Sequence, residues 1–196
     1  MIILGLTGSI AMGKSKAAEV FLRKGVPVYD ADAAVHRLLS KGGRAVLRIG
    51  EIFPEVIIAG AVDRKALGTI VFADSAKLRL LENIIHPLVR EEEKNFLAAA
   101  RRRRVKVVVL NIPLFFETGG ERRCQATIVV TAPAFVQEGR ALRRPGMSRE
   151  KLKGVRRNQM PEEEKRKRAD FIVQTGNGYR FTWTNILKIL EWARHA

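Results

Sequence analysis

Residues Gly8-Ser9-Ile10-Ala11-Met12-Gly13-Lys14-Ser15 satisfy the pattern G-x-x-x-x-G-K-[ST] at every fixed position. No other feature constrains the fold as strongly, because the pattern works only between a strand and a helix. Both flanks are present. Ile2 to Leu6 is an apolar, strand-like run. Lys14 to Lys24 carries apolar Ala17, Ala18, Val20, Phe21 and Leu22, with Gly25 as a C-terminal stop. Gly8 and Gly13 permit a tight turn and close backbone approach, so that Ser9, Ile10, Ala11 and Met12 can turn their N–H groups toward phosphate oxygens. The positive end of the helix dipole adds to this cradle. Lys14 supplies a point charge for β- and γ-phosphates, and the Ser15 hydroxyl can ligate Mg²⁺. An ATP or GTP site follows. The competing reading is a glycine-rich strand-to-helix turn with an incidental lysine. Lys16 follows directly and serves either the α/β phosphates or the solvent face.

Four further runs rich in β-branched residues recur with helical stretches between them: Val26 to Tyr29, Lys106 to Asn111, Ala126 to Thr131 and Phe171 to Gln174. Near-continuous apolar strands alternating with helices predict a parallel sheet covered on both faces, hence an α/β fold. Roughly seventy residues between the second and third strands are too many for a simple crossover. They contain helical patterns at Ala33 to Leu39, Arg64 to Phe72, Ala76 to Ile85 and Leu88 to Ala100, an inserted helical lobe. His86-Pro87 breaks the last pattern in two, with Pro87 in the first turn of the second piece. Pro133 to Arg168 reads as another helical excursion, interrupted at Pro145-Gly146 and Pro161. Asn185 to Arg194 reads as a closing amphipathic helix.

The 196-residue chain carries 36 Lys and Arg against 20 Asp and Glu, a formal charge of +16 that calls for an acidic partner. Most of it is concentrated. Residues 140 to 168 hold a net +8, and Arg101 to Arg104 with Lys106 add +5. The latter run lies where a surface loop is expected and reads as a solvated cluster. A single cysteine, Cys124, allows no internal disulfide and suits a reducing cytoplasm. His36, His86 and His195 lie too far apart in sequence to suggest a zinc site. No apolar run reaches the ~18 residues of a membrane span, and the N-terminus lacks the basic region of a signal peptide. A cytoplasmic protein is expected.

Asp30-Ala31-Asp32 follows the second strand. Ligands of open parallel sheets bind at the carboxyl ends of strands, where a carboxylate can accept a proton from an attacking hydroxyl or hold magnesium through water. One of the two can instead cap the helix that follows. Asn111 stands at the end of the third strand, where phosphate-loop proteins often place a magnesium-associated aspartate. In the basic excursion Arg140 and Arg144 are four residues apart. One helix would present both on one face, able to close over the phosphates and neutralise transferred charge.

Together these residues resemble the dephospho-CoA kinases, which phosphorylate the ribose 3′-hydroxyl of dephospho-CoA in the last step of coenzyme A synthesis. The resemblance is carried by Leu6 to Ser15, Asp30-Ala31-Asp32, His86-Pro87-Leu88, Ile112-Pro113-Leu114-Phe115-Phe116-Glu117, and Gln159-Met160-Pro161 through Arg168-Ala169-Asp170-Phe171-Ile172. It implies a three-layer α/β/α phosphate-loop kinase domain with a five-stranded parallel sheet. The core would comprise residues 1–32, 105–135 and 169–196, the substrate lobe 33–104 and the lid 136–168. It implies Asp32 as the base, Arg140 near the nucleotide phosphates, and Asp30, His86, Pro113, Leu114 and Glu117 around the acceptor. The implied small molecules are ATP, Mg²⁺ and dephospho-CoA, and the implied chain is a monomer or weak homo-oligomer. Lys16, Asn111 and Gln174 depart from the family pattern. Two alternatives stay open: a kinase of another small acceptor such as a nucleoside monophosphate, and a basic nucleic-acid-binding NTPase. The second is disfavoured by 7% aromatic content and the lack of a stacking motif.

Overall fold

The computed structural model describes residues 1–196. Five strands form one sheet: β1 (Ile2–Thr7), β2 (Val28–Asp30), β5 (Val107–Asn111), β6 (Ala126–Thr131) and β7 (Phe171–Gln174), in the order β2-β5-β1-β6-β7. β1 pairs in parallel with β5 and β6, and β6 in parallel with β7. β1 is central and its last five residues are all buried, which is why it reads as an unbroken apolar run rather than an alternating one. The two-stranded hairpin β3 (Ile57–Ile58) and β4 (Ala61–Val62) lies apart from this sheet.

The chain divides into two compact units, Met1–Tyr29 with Ala100–Ala196, and Asp30–Ala99. In the first, Leu4, Leu6, Val109, Ile128, Val130 and Val173 pack against α1 (Lys14–Arg23) and α9 (Tyr179–His195). On the sheet's other face Phe115 is completely buried. A Cβ at Gly5 would come within 2.2 Å of the Phe115 ring, so the missing side chain in β1 is what admits it. The second unit builds its own core from α2 (Ala31–Leu39), α3 (Val46–Ile52), α4 (Arg64–Phe72) and α5 (Ser75–Arg102), centred on Leu38, Ile49, Phe53, Val56 and Leu67. Bidentate Arg44–Glu91 bonds of 3.0 and 2.8 Å tie its surface.

The strands of the main sheet and the helical character of the insertion agree with the sequence reading. The details differ in four places. His86-Pro87 does not break a helix: α5 runs through Pro87. Proline costs about 3 kcal/mol inside a helix, and here Ile84, Ile85 and Leu88 on either side are buried in the second unit's core and hold the helix through it. The closing helix begins at Tyr179, six residues earlier than its apolar stripe suggested. The β3–β4 hairpin leaves no signal in the sequence, because two-residue strands carry no periodicity. Arg140 and Arg144 do not share a helix: α6 (Ala134–Leu142) ends before Arg144, which is exposed in the turn toward Pro145. Beyond it lie α7 (Arg149–Arg157) and α8 (Glu162–Lys167). The Arg101–Arg104 run is exposed as expected, and Arg101 and Arg102 occupy the last turn of α5, where positive charge offsets the helix dipole. No helix is long and apolar enough to cross a membrane.

Candidate active site

The phosphate loop turns between β1 and α1 with Gly13 at φ 94°, in the left-handed region. A Cβ there would also approach the Thr175 hydroxyl to 2.6 Å, so glycine is required for both backbone and space. Ala11 adopts φ 60° as well. That conformation costs a non-glycine residue roughly 1–2 kcal/mol, and Ala11 is held by burial against Ala141 and Leu152. No side chain caps the N-terminus of α1, and its first turn has no acidic residue. The helix start therefore keeps its positive end for an anion.

The loop is fixed by polar groups from distant parts of the chain. The Ile10 N–H donates to Gln159 Oε1 at 3.1 Å, while Gln137 Nε2 donates to the Ile10 carbonyl at 2.8 Å. Arg156 in turn donates to Gln137 Oε1. The buried Thr175 hydroxyl donates to the Met12 carbonyl at 2.6 Å. Arg140 grips Thr175 twice, donating to its hydroxyl at 2.8 Å and its carbonyl at 2.9 Å. Met12 is buried, its sulfur 3.1 Å from the Ala132 N–H. One guanidinium is thus brought to the edge of the loop on a two-point mount. The Ser9 hydroxyl donates to Glu162 Oε2 at 2.9 Å. Burial pushes the Glu162 carboxyl above its ordinary range, with the Ser9 bond and the charges of Lys165 and Arg166 opposing that rise.

Lys14 Nζ donates to Asn111 Oδ1 at 2.8 Å. The residue at the end of β5 that departs from the aspartate pattern therefore serves as a neutral acceptor that orients the loop lysine. Ser15 is exposed in the first turn of α1, and no other protein group engages its hydroxyl. Lys16 settles on the solvent face, 2.9 Å from Glu19. That partner lowers the Glu19 carboxyl pKa through its hydrogen bond first.

Past β5, the Thr7 hydroxyl donates to the Pro113 carbonyl at 3.1 Å, and Leu114 is exposed. Glu117 Oε1 accepts the Met160 N–H at 2.8 Å. In the second unit Asp30 is the N-cap of α2, accepting from the Ala33 N–H at 2.9 Å. Asp32 is exposed two residues on, in the first turn of α2, so the pair divides into a capping residue and a first-turn carboxylate. His86 is exposed on α5, lining a surface groove of about 450 Å³ with Glu82, Asn83, Pro87, Arg90, Glu91 and Lys94.

Sequence reasoning singled out no role for Thr175, Gln137, Glu162 or Lys165. The signal was faint: uncharged Gln137 and Thr175 are lone polar residues in ordinary helix and strand-end contexts, and Glu162 and Lys165 are hidden within a run of charges.

Comparison with known proteins agrees with this architecture. The family profile described as dephospho-CoA kinase matches residues 2–180. A dephospho-CoA kinase of Mesorhizobium japonicum is 50% identical over 99% of this chain and 98% of its own length. That of Paramagnetospirillum magneticum is 58% identical over 85% of this chain and 78% of its own. Among solved structures, TT1252 from Thermus thermophilus superposes with a TM-score of 0.85 at 38% identity, covering 96% of this chain and 95% of that one. The dephospho-CoA kinase from Campylobacter jejuni gives 0.71 at 30% identity over the same shares. The sheet order, the phosphate loop and the extent of these matches lead to one conclusion: the chain belongs to the dephospho-CoA kinase family.

Proposed function

We propose that the chain transfers the γ-phosphoryl group of ATP to the ribose 3′-hydroxyl of dephospho-CoA. The observation that carries this reading is the family match over residues 2–180, joined to a phosphate loop whose lysine is oriented and whose helix start lacks an acidic residue. The Lys14 ammonium and backbone N–H groups of the loop hold the β- and γ-phosphates, apart from those of Ile10 and Met12, which the sequence also offered to phosphate but which bond Gln159 Oε1 and the Ser9 carbonyl instead. Arg140, mounted on Thr175, balances charge on the transferred group. Arg144 and Lys16 are exposed and serve at most as outer charges. Asp32 accepts the proton of the attacking hydroxyl. Asp30 fixes the start of α2 that carries Asp32, and His86, Pro113, Leu114 and Glu117 contact the acceptor.

The free Ser15 hydroxyl, a hard oxygen donor in the first turn of α1, suits Mg²⁺ held jointly with phosphate oxygens and water. The ion would neutralise phosphate charge when bound.

The test is an acceptor panel with ATP and coupled ADP detection. ADP release is expected with dephospho-CoA, and not with nucleoside monophosphates, RNA or DNA. Release driven by a nucleoside monophosphate or by nucleic acid, and not by dephospho-CoA, refutes the reading.

A further inference from the structure

Lys165 is the most anomalous charge in the molecule. Its side chain is 0% exposed, although lysine is almost never fully buried without a partner. Its ammonium has three donors, and none makes a hydrogen bond within the protein. The one close opposite charge is Glu117 Oε1, at 3.3 Å. Glu162, three residues earlier on α8, contributes a second carboxylate, with Oε2 engaged by Ser9 and Oε1 buried without a partner. A buried ammonium carries a desolvation cost of several kcal/mol. A merely structural helix would be served as well by an apolar side chain of the same length.

The geometry at Glu117 gives this cost a purpose. Oε1 is engaged twice, by the Met160 N–H at 2.8 Å and by Lys165 at 3.3 Å. Oε2 makes no bond within the protein, and the side chain is 21% exposed. One oxygen is clamped and the other is left available. The backbone carrying Glu117 is rigid too: Phe115, two residues earlier, is completely buried and fits where Gly5 and Gly120 have no side chains. Phe116 meets it edge-on at 5.4 Å.

We propose that Lys165 is a positioning residue for phosphotransfer: its buried ammonium clamps one oxygen of Glu117, so that the other is presented to a hydroxyl, amide or amino donor of the acceptor. Lys165 itself does not touch the substrate. The inference rests on the proposed contact of Glu117 with dephospho-CoA.

The test uses the full chain and four variants, Lys165→Met, Lys165→Arg, Glu117→Gln and the double variant Glu117→Gln with Lys165→Met. The readouts are the KM for dephospho-CoA, the KM for ATP and the thermal midpoint. Loss of one charge-assisted hydrogen bond predicts about a tenfold rise in acceptor KM for each of the Met and Gln single variants. The KM for ATP stays within about twofold, since no phosphate-loop donor is changed. Arginine restores part of the loss. The double variant shows no larger rise than the worse single one, because both act through the same oxygen. It melts above Lys165→Met, because Glu117 is then neutral and keeps no charge without its ammonium partner.

An unchanged acceptor KM in either single variant, or KM values for ATP and acceptor that rise equally, overturns the inference. If Lys165→Met fails to fold, the double variant decides, since a neutral pair of similar shape preserves packing. A wild-type acceptor KM there would make the ion pair structural only. Wild-type turnover on dephospho-CoA is measured first. Its absence refutes the proposed function, whereas turnover with an unmoved KM in Lys165→Met refutes the role of Lys165 alone.

Discussion

The phosphate loop and the second-unit residues proposed to face the acceptor are built in opposite ways. Around the loop, Ser9, Ile10, Met12 and Lys14 are each engaged by a residue from a distant part of the chain: Glu162, Gln137 with Gln159, Thr175 and Asn111. In the second unit, Asp32 and His86 are exposed side chains on helix surfaces. The first region commits its geometry before any ligand arrives, through buried polar contacts whose loss leaves unsatisfied groups. The second carries exposed side chains on helices whose apolar faces pack into a separate core. A nucleotide donor is common to many kinases and rewards a prebuilt cradle. An acceptor is particular, and surface residues can specialise while the cradle stays fixed.

Substitutions on the two sides should therefore fail differently. Lys14→Ala removes the oriented ammonium and is expected to lower kcat by about a thousandfold with little change in the thermal midpoint; steady-state kinetics alongside calorimetry checks both. A loss of less than tenfold would break the claim that the loop is the catalytic cradle. Asp32→Asn keeps size and helix propensity and removes the proposed base, so turnover should fall about a hundredfold while ATP affinity, measured by titration, is retained. Weakened ATP binding in that variant would erase the distinction between the two regions.

Thr175→Val sharpens the comparison further, because it touches no ligand. The buried Met12 carbonyl loses its 2.6 Å donor and Arg140 loses one of two anchors. A stability loss of about 1–2 kcal/mol and a fall in kcat/KM of about tenfold are expected from denaturant unfolding and kinetics.

The smallest effect is expected from Glu162→Gln, which keeps an acceptor for Ser9 without the buried charge. The folded-state pKa of Glu162 is raised, chiefly by burial. Between the unfolded and folded values the folded chain binds more protons, so stability falls as pH rises through that window. The thermal midpoint of the parent relative to Glu162→Gln should therefore drop as pH increases from just below the ordinary glutamate range. A flat difference would mean that the Ser9 bond and Lys165 cancel the burial.

What the sequence made legible follows the same division. The loop was readable because backbone geometry demands glycine at fixed positions, and Gly13 has both the positive φ and the crowding by Thr175 that the pattern presumes. The sheet was readable because β1, β5 and β6 are buried along nearly their whole length, leaving no alternation to confuse. Pro87 reads as a break because local chain stiffness is visible in the sequence, whereas the burial of Ile84, Ile85 and Leu88 that carries α5 through it is not. Arg144 misled because spacing of four matters only while a helix continues, and α6 stops at Leu142. Lys165 was hidden for a different reason. It sits among Glu162, Glu163, Glu164, Arg166 and Lys167, a run that reads as solvated, and only the fold distinguishes the one side chain that is completely buried.

The prebuilt cradle is expected to direct one new bond, from the γ-phosphorus of ATP to the ribose 3′ oxygen of dephospho-CoA. The most direct measurement is phosphorus NMR of the product formed from ATP and dephospho-CoA by the unmodified chain. One new phosphomonoester resonance, coupled to the ribose 3′ proton with the diphosphate bridge unchanged, is the expected result. A phosphomonoester at any other hydroxyl, or only inorganic phosphate, would contradict it.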